Sequence, residues 1–158
     1  MQLFKINNFI KENPDKTFPA YKPVSAPYKN EILYRIKKLL SMDNSPVQDI
    51  VKKINDLATT IGQIDIENLD FSLVDLLDKY GIRYSKHVYI NWYVFDDVDE
   101  MSIQALNDYF YDIWYPGPDD IDIFDESFKW ILSVQHDGEI RLLRLSGEES
   151  DDSIPIKN

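Results

Sequence analysis

At 158 residues, with 44% hydrophobic and 13% aromatic content, the chain has the composition of one globular domain able to bury about two-thirds of its unfolded surface. It has no cysteine, which excludes disulfides, thiolate metal sites and cysteine catalysis, and its net charge of −11 sets it against nucleic acid and anionic membrane as partners. The N-terminal "MQLFKINNFIKENPDK" lacks an apolar core of signal-peptide length, and no apolar run approaches the roughly 20 residues of a membrane span, so a soluble cytoplasmic protein is expected.

The N-terminal half reads as helices. A short one over about Leu3–Lys11 is followed by "PDKTFPAYKPVSAP", whose four prolines predict an extended connector. In "YKNEILYRIKKLL", Ile32, Ile36, Leu39 and Leu40 form one stripe, with Arg35, Lys37 and Lys38 largely off it. The next helix is marked by Ser45 as cap, Pro46 in the first turn and Gln48 at capping-box spacing; Val47, Ile50, Val51, Ile54, Leu57, Ala58 and Ile61 then recur at 3 and 4. "FSLVDLLDKYG" predicts one more, with Leu73, Leu76, Leu77 and Tyr80 inward and Gly81 as its stop.

At Gly81 the period changes. "HVYINWYVF" alternates, setting Val88, Ile90, Trp92 and Val94 on one face of a strand and Tyr89, Asn91, Tyr93 and Phe95 on the other. "SIQALNDYFYDIW" returns to helical spacing, with Ile103, Leu106, Phe110 and Ile113 inward and Asn107, Asp108, Tyr111 and Asp112 outside; "YPGP" ends it. "FKWILSVQHDGEIRLLRL" is a β-hairpin whose register follows from matching apolar to apolar. A three-residue loop with Gly138 in the left-handed position pairs Val134 with Ile140 and Leu132 with Leu142, which a two-residue Asp137-Gly138 turn does not. The predicted fold is α+β over residues 1–145: N-terminal helices, then an antiparallel sheet of at least three strands with one inserted helix and a C-terminal hairpin. A polar, acidic tail over 146–158 is expected to fray.

The charge is localised. Residues 1–95 carry 13 basic and 11 acidic side chains, whereas residues 96–126 carry 11 acidic and no basic ones, so one segment accounts for the imbalance. "DDVDE" (Asp96, Asp97, Asp99, Glu100) and "DDID" (Asp119, Asp120, Asp122) have the oxygen chemistry of Mg²⁺ or Ca²⁺ ligands. Neither has the glycine and terminal glutamate of the twelve-residue calcium loop, and Asp99 or Ser102 also suits as cap of the following helix. A metal-dependent nuclease is rejected because Glu126 and Lys129 are three apart and Glu126 precedes its strand. His136 beside Asp137 reads as turn chemistry, and no nucleophile elbow or phosphate loop accompanies it. Trp92 and Trp130 belong to core-facing strands, while Trp114 and Tyr115, at the helix exit, are expected to be partly exposed. Tyrosines interleaved with carboxylates suit a protein interface, where the ring supplies buried area and the charge pairs with lysine or arginine.

The run "WYPGPDDIDIFDESFKWILSVQHDGEI" resembles a pattern of small acidic immunity proteins from bacterial polymorphic-toxin and contact-dependent growth-inhibition loci, over about residues 88–145 and leaving the N-terminal helices unmatched. The resemblance implies a non-enzymatic inhibitor, without cofactor or metal, whose partner is a cognate basic toxin domain, often a nuclease. On the charge and aromatic pattern, the expected partner surface comprises Asp96, Asp97, Asp99, Asp108, Tyr111, Asp112, Trp114, Tyr115, Asp119, Asp120 and Asp122, with the basic helix of Arg35, Lys37 and Lys38 as the other candidate. Charge reversal at Asp108 and Asp112, or at Asp119 and Asp120, is expected to spare folding and cost binding. Two alternatives stay open: a metal-dependent hydrolase or phosphotransfer enzyme using Asp119, Asp120 and Asp122 with His136, and a nucleic-acid mimic using the same acidic surface.

Overall fold

The computed structural model describes residues 1–145; the tail expected over 146–158 lies outside the described residues. In chain order the elements are α1 (Leu3–Glu12), β1 (Tyr21–Pro23), α2 (Ala26–Leu39), α3 (Val47–Leu57), β2 (Thr59–Gln63), α4 (Leu73–Lys79), β3 (His87–Asn91), β4 (Val98–Ser102), α5 (Ile103–Asp108), α6 (Phe110–Ile113), β5 (Ile121–Phe124), β6 (Trp130–Val134) and β7 (Glu139–Arg144). The seven strands form one antiparallel sheet in the order β1-β4-β3-β5-β6-β7-β2. The α+β class is as the sequence predicts.

Both faces of the sheet are covered. On one, Val88, Ile90, Ile121, Ile123, Leu132, Val134, Ile140 and Leu142 meet Leu73 and Leu77 of α4 and Leu106, Phe110 and Ile113 of α5 and α6. On the other, Tyr89, Phe124, Ile131 and Leu143 meet Ile32 and Ile36 of α2 and Ile50 and Ile54 of α3. Strands covered on both faces need apolar residues at successive positions, and "WIL" in β6 has them. α1 inverts the usual amphipathic logic: it buries Lys5 with Phe9 and leaves Leu3, Phe4 and Ile10 exposed.

The hairpin takes the expected register, Val134 opposite Ile140 and Leu132 opposite Leu142, with Gly138 at φ 89°. α4 stops as expected. Gly81 sits at φ 64°, its N–H donates to Asp78 O (3.0 Å), and the Ile82 N–H donates to Leu77 O (2.9 Å), which is the Schellman pattern.

Five details differ. α3 ends at Leu57 and not at Ile61: Ala58 is extended, and the β-branched Thr59, Thr60 and Ile61 enter the sheet edge against β7, where ladder hydrogen bonds outweigh one more helical turn. Its cap is Pro46, and the Ser45–Gln48 capping box does not form. The proline connector contributes β1, so both outer strands come from the half that reads as helical. The inserted helix is broken at Tyr109 (φ −116°, ψ 26°) into α5 and α6, with Ser102 Oγ capping the first by accepting from the Ala105 N–H (2.9 Å). The strand begun at His87 ends at Asn91, and Trp92–Asp97 turns back into β4 with Tyr93 at φ 100° and Phe95 at φ 65°.

The two turn glycines separate strain from crowding. A Cβ on Gly138 meets Ile64 O at 2.8 Å and Gln63 Nε2 at 2.9 Å, whereas one on Gly117 (φ 97°) meets nothing within 4 Å. Gly117→Ala should therefore cost about 1 kcal/mol from backbone strain alone, and Gly138→Ala about 2–4 kcal/mol, because β2 must also shift. Urea midpoints at unchanged m-values measure both.

Candidate functional site

The pairings Asn91↔Asp122 and Ile121↔Val134 bring three loops out of the same end of the sheet: the β3–β4 turn, the segment between α6 and β5, and the β6–β7 loop. Beneath them a polar row crosses three strands. The Ser133 hydroxyl donates to Asp122 Oδ1 (2.5 Å), and Asn91 Nδ2 donates to Asp122 Oδ2 (3.0 Å). Asn91 also ties the turn above it, donating to Tyr93 O (3.1 Å) and accepting from the Phe95 N–H at Oδ1 (2.7 Å). Burial raises the Asp122 pKa, and the two side-chain hydrogen bonds oppose that rise.

Under α1 lies a second buried charge. The Lys5 ammonium, fully shielded from solvent, donates to the Asp119 carboxylate and to Ile113 O (2.6 Å), and lies 4.7 Å from the Trp92 ring centre and 4.4 Å from that of Tyr115. Desolvation lowers its pKa; the hydrogen bond and charge of Asp119 oppose that. Asp119 Oδ2 also accepts from the Tyr115 N–H (2.7 Å), and Trp114 Nε1 donates to Asp119 O (3.1 Å). Asp99 points inward from β4, accepting from Trp92 Nε1 (2.8 Å) and from the Met1 amino group.

Four expected surface residues are thus interior. Asp99, Trp114, Asp119 and Asp122 are buried against partners in the same chain. Trp114 is stacked on Phe110 at 5.7 Å, so the expected exposure at the helix exit is absent. Among the described residues no group of three or more histidines and acids could hold a metal ion. The reason is geometric: Asp119 turns to Lys5 and Asp122 to Asn91 and Ser133, leaving only Asp120 beside His136.

What remains on the loops is Asp96, Asp97 and Asp137, all exposed, the half-exposed Asp120, and Tyr93, 59% exposed. Asp120 Oδ1 accepts from the His136 N–H (2.7 Å) and from His136 Nδ1 (2.9 Å), latching the hairpin loop to the α6–β5 segment. A cavity of about 230 Å³ opens between the α6–β5 segment, the β3–β4 turn and the N-terminal residues, lined by Gln2, Trp92, Tyr93, Pro118, Asp119 and Asp120. Tyr115 stays near this end as a wall of the Lys5 cage. Asp108, Tyr111 and Asp112 lie apart, on α5 and α6. Tyr111 and Asn107, read as outside, are joined to α4: the Tyr111 hydroxyl accepts from the Phe71 N–H (3.2 Å) and Asn107 Oδ1 from the Val74 N–H (3.0 Å). Asp112 is half-buried, its pKa raised by burial and then by Glu12. Tyr93 belongs to the tyrosines that the sequence interleaves with carboxylates, whereas Asp137 and Lys5 are absent from the sequence-derived surface. A lone asparagine inside an aromatic run marks the turn that projects Tyr93; Lys5 carries no signal of burial.

No family model, no curated protein and no solved structure matches the chain. Among the described residues no helix is long and apolar enough to cross a membrane.

Lys5→Met leaves the Asp119 carboxylate buried without its cation, and should cost about 3–5 kcal/mol. The double variant Lys5→Met/Asp119→Asn should lose clearly less than the sum of the two single changes, as urea unfolding of all four proteins will show. At the latch, the hydrogen bond to Asp120, then its charge, raises the His136 pKa above 6.5. The latch's contribution is therefore full below pH 6.5 and fades as pH rises through the raised value. NMR titration of the His136 ring should show its midpoint falling in Asp120→Asn.

Proposed function

We propose that the chain is an immunity-type protein: a non-enzymatic inhibitor that binds a basic toxin domain in the cytoplasm and covers its active site or substrate groove. One observation carries this reading. Asp96, Asp97, Asp120 and Asp137 stand on three loops at the end of the sheet from which the exposed ring of Tyr93 projects. Among the described residues, no lysine or arginine lies within ion-pair distance of the Asp96, Asp97 or Asp137 carboxylates. The Lys29 ammonium donates to Asp96 O and His136 pairs with Asp120, so part of this charge is offset. The remainder, beside an aromatic anchor, suits a cationic protein partner, with the charges steering encounter and the ring supplying buried area. A nuclease groove that holds phosphates is the kind of surface such an end of the sheet can fill.

The test uses the product of the immediately upstream gene. Co-expression should neutralise its toxicity, and the association rate of the purified pair should fall steeply between low and physiological salt. Asp96→Lys/Asp97→Lys should keep unfolding stability within about 0.5 kcal/mol of the parent while weakening binding at least ~10-fold, chiefly through the association rate. Asp108→Lys/Asp112→Lys, on the helical layer, serves as the distant comparison and should bind nearly as the parent does. Asp119→Lys is unsuitable, because it sets a second ammonium against Lys5. A non-toxic neighbour, or parental affinity in Asp96→Lys/Asp97→Lys, removes this reading.

A further inference from the structure

The cavity beside Tyr93 has an uneven chemistry. Its lining presents oxygen acceptors that have received no donor. Both hydrogen bonds to Asp119 fall on Oδ2, and both to Asp120 fall on Oδ1, so among the described residues Asp119 Oδ1 and Asp120 Oδ2 receive none. The one indole donor in the lining, Trp92 Nε1, is already committed to Asp99. The remaining walls are the aromatic rings of Trp92 and Tyr93 and the aliphatic ring of Pro118.

A ligand that satisfies such walls must be rich in donors, cationic, and planar enough to lie against rings. Guanidinium has five N–H donors, no acceptor and a flat face that stacks on aromatics. A divalent cation is a poor match, because it needs six or more oxygens and gains nothing from rings. The protein already solves a related problem a few ångströms away, where the Lys5 ammonium lies over Trp92 and against Asp119. That pair is internally neutral, so the negative charge of the cavity comes from Asp120, whose Oδ1 is shared with His136 and whose charge is full when that imidazole is neutral. A volume of about 230 Å³ accommodates the end of an arginine side chain. We infer that this cavity is a receptor for an arginine side chain, and that the projecting Tyr93 closes over its aliphatic stem. The arginine's source, a partner protein, rests on the inhibitor reading above; the cavity's preference for guanidinium does not.

The experiment uses the full-length ¹⁵N-labelled chain and three probes: the N-acetyl amides of arginine, lysine and citrulline. Arginine should produce saturable shifts at the Trp92 indole N–H and at the Tyr93 and Asp120 amides, with a Kd on the order of 1–10 mM. Lysine should bind at least ~3-fold more weakly, because it lacks the planar fork. Citrulline, the neutral isostere, should not saturate. Asp120→Asn removes a charge from the cavity while leaving an amide oxygen that can still accept from the His136 N–H, and should raise the arginine Kd at least ~5-fold. Shifts that stay linear to roughly 100 mM arginine, equal response to citrulline, or an unchanged Kd in Asp120→Asn each overturn the assignment. No partner is present in this titration. Saturable arginine binding in a chain that ignores its neighbour's product therefore upholds the cavity and removes the inhibitor.

Discussion

The ammonium of Lys5 binds together three segments that the sequence keeps far apart. It enters from α1, takes the carboxylate of Asp119 and the carbonyl of Ile113 at the α6–β5 corner, and lies over Trp92 where β3 leaves the sheet. A buried ion pair is rarely a gain over two well-packed apolar groups, since each charge gives up its hydration. What it supplies is uniqueness. α1 has exposed Leu3, Phe4 and Ile10 on its outer side, so hydrophobicity alone would let the helix roll toward burying them. Such a roll would strand an ammonium in the interior or expel it, and both alternatives disrupt Asp119. The pair thus selects the orientation of α1, and the position of the α6–β5 segment follows from it.

The same accounting divides the acidic segment in two. Four of its carboxylates, Asp99, Asp119, Asp122 and Asp125, are interior, and each is met by donors: Trp92 Nε1 and the Met1 amine, Lys5 and the Tyr115 N–H, Asn91 and Ser133, and the N–H groups of Ser85 and Ser127. A carboxylate held by donors organises backbone; it contributes little field outside. The outward field comes from the rest, and on the loops at one end of the sheet that means Asp96, Asp97 and Asp120, joined by Asp137 from outside the segment. Net charge therefore overstates the acidic surface, while the buried acids explain why the loops that carry it keep their shape.

This division also marks where the sequence was legible. Helical periodicity in α2 and α4, the glycine stop at Gly81 and the hairpin register depend on local rules, and they are read correctly from the residues alone. "VDEMS" and "IDIF" are different. They alternate acid with aliphatic over four or five residues, and an exposed acidic turn reads the same way. Only the partners, distant in sequence, make Asp99 and Asp122 interior, and no local signal carries that information. Thr59–Gln63 was lost for a related reason: Ile61 continues the helical spacing of α3, and the pairing with β7 that overrides it is a tertiary event. Tyr93 is legible as a tyrosine close to Asp96 but not as a projecting one, since strict alternation through "HVYINWYVF" sets it within a strand that in fact ends two residues earlier.

Tyr93 shows how the interior reaches the surface. An aromatic residue at φ 100° is strained by about 1–3 kcal/mol, and so needs surroundings that over-determine it. Here Asn91 does so from below, holding Tyr93 O with its amide nitrogen and the Phe95 N–H with its oxygen. Asn91 is itself fixed by Asp122, and Asp122 by Ser133, so a row of three polar side chains under α3 sets the attitude of one exposed ring. Truncating any of them costs more than a hydrogen bond, because the buried partners are left unsatisfied. For the inhibitor proposed here the benefit lies in order already present before association. A ring and an acidic rim held in place from the core lose less conformational freedom on docking than the same groups on a slack loop, and more of their attraction remains as affinity.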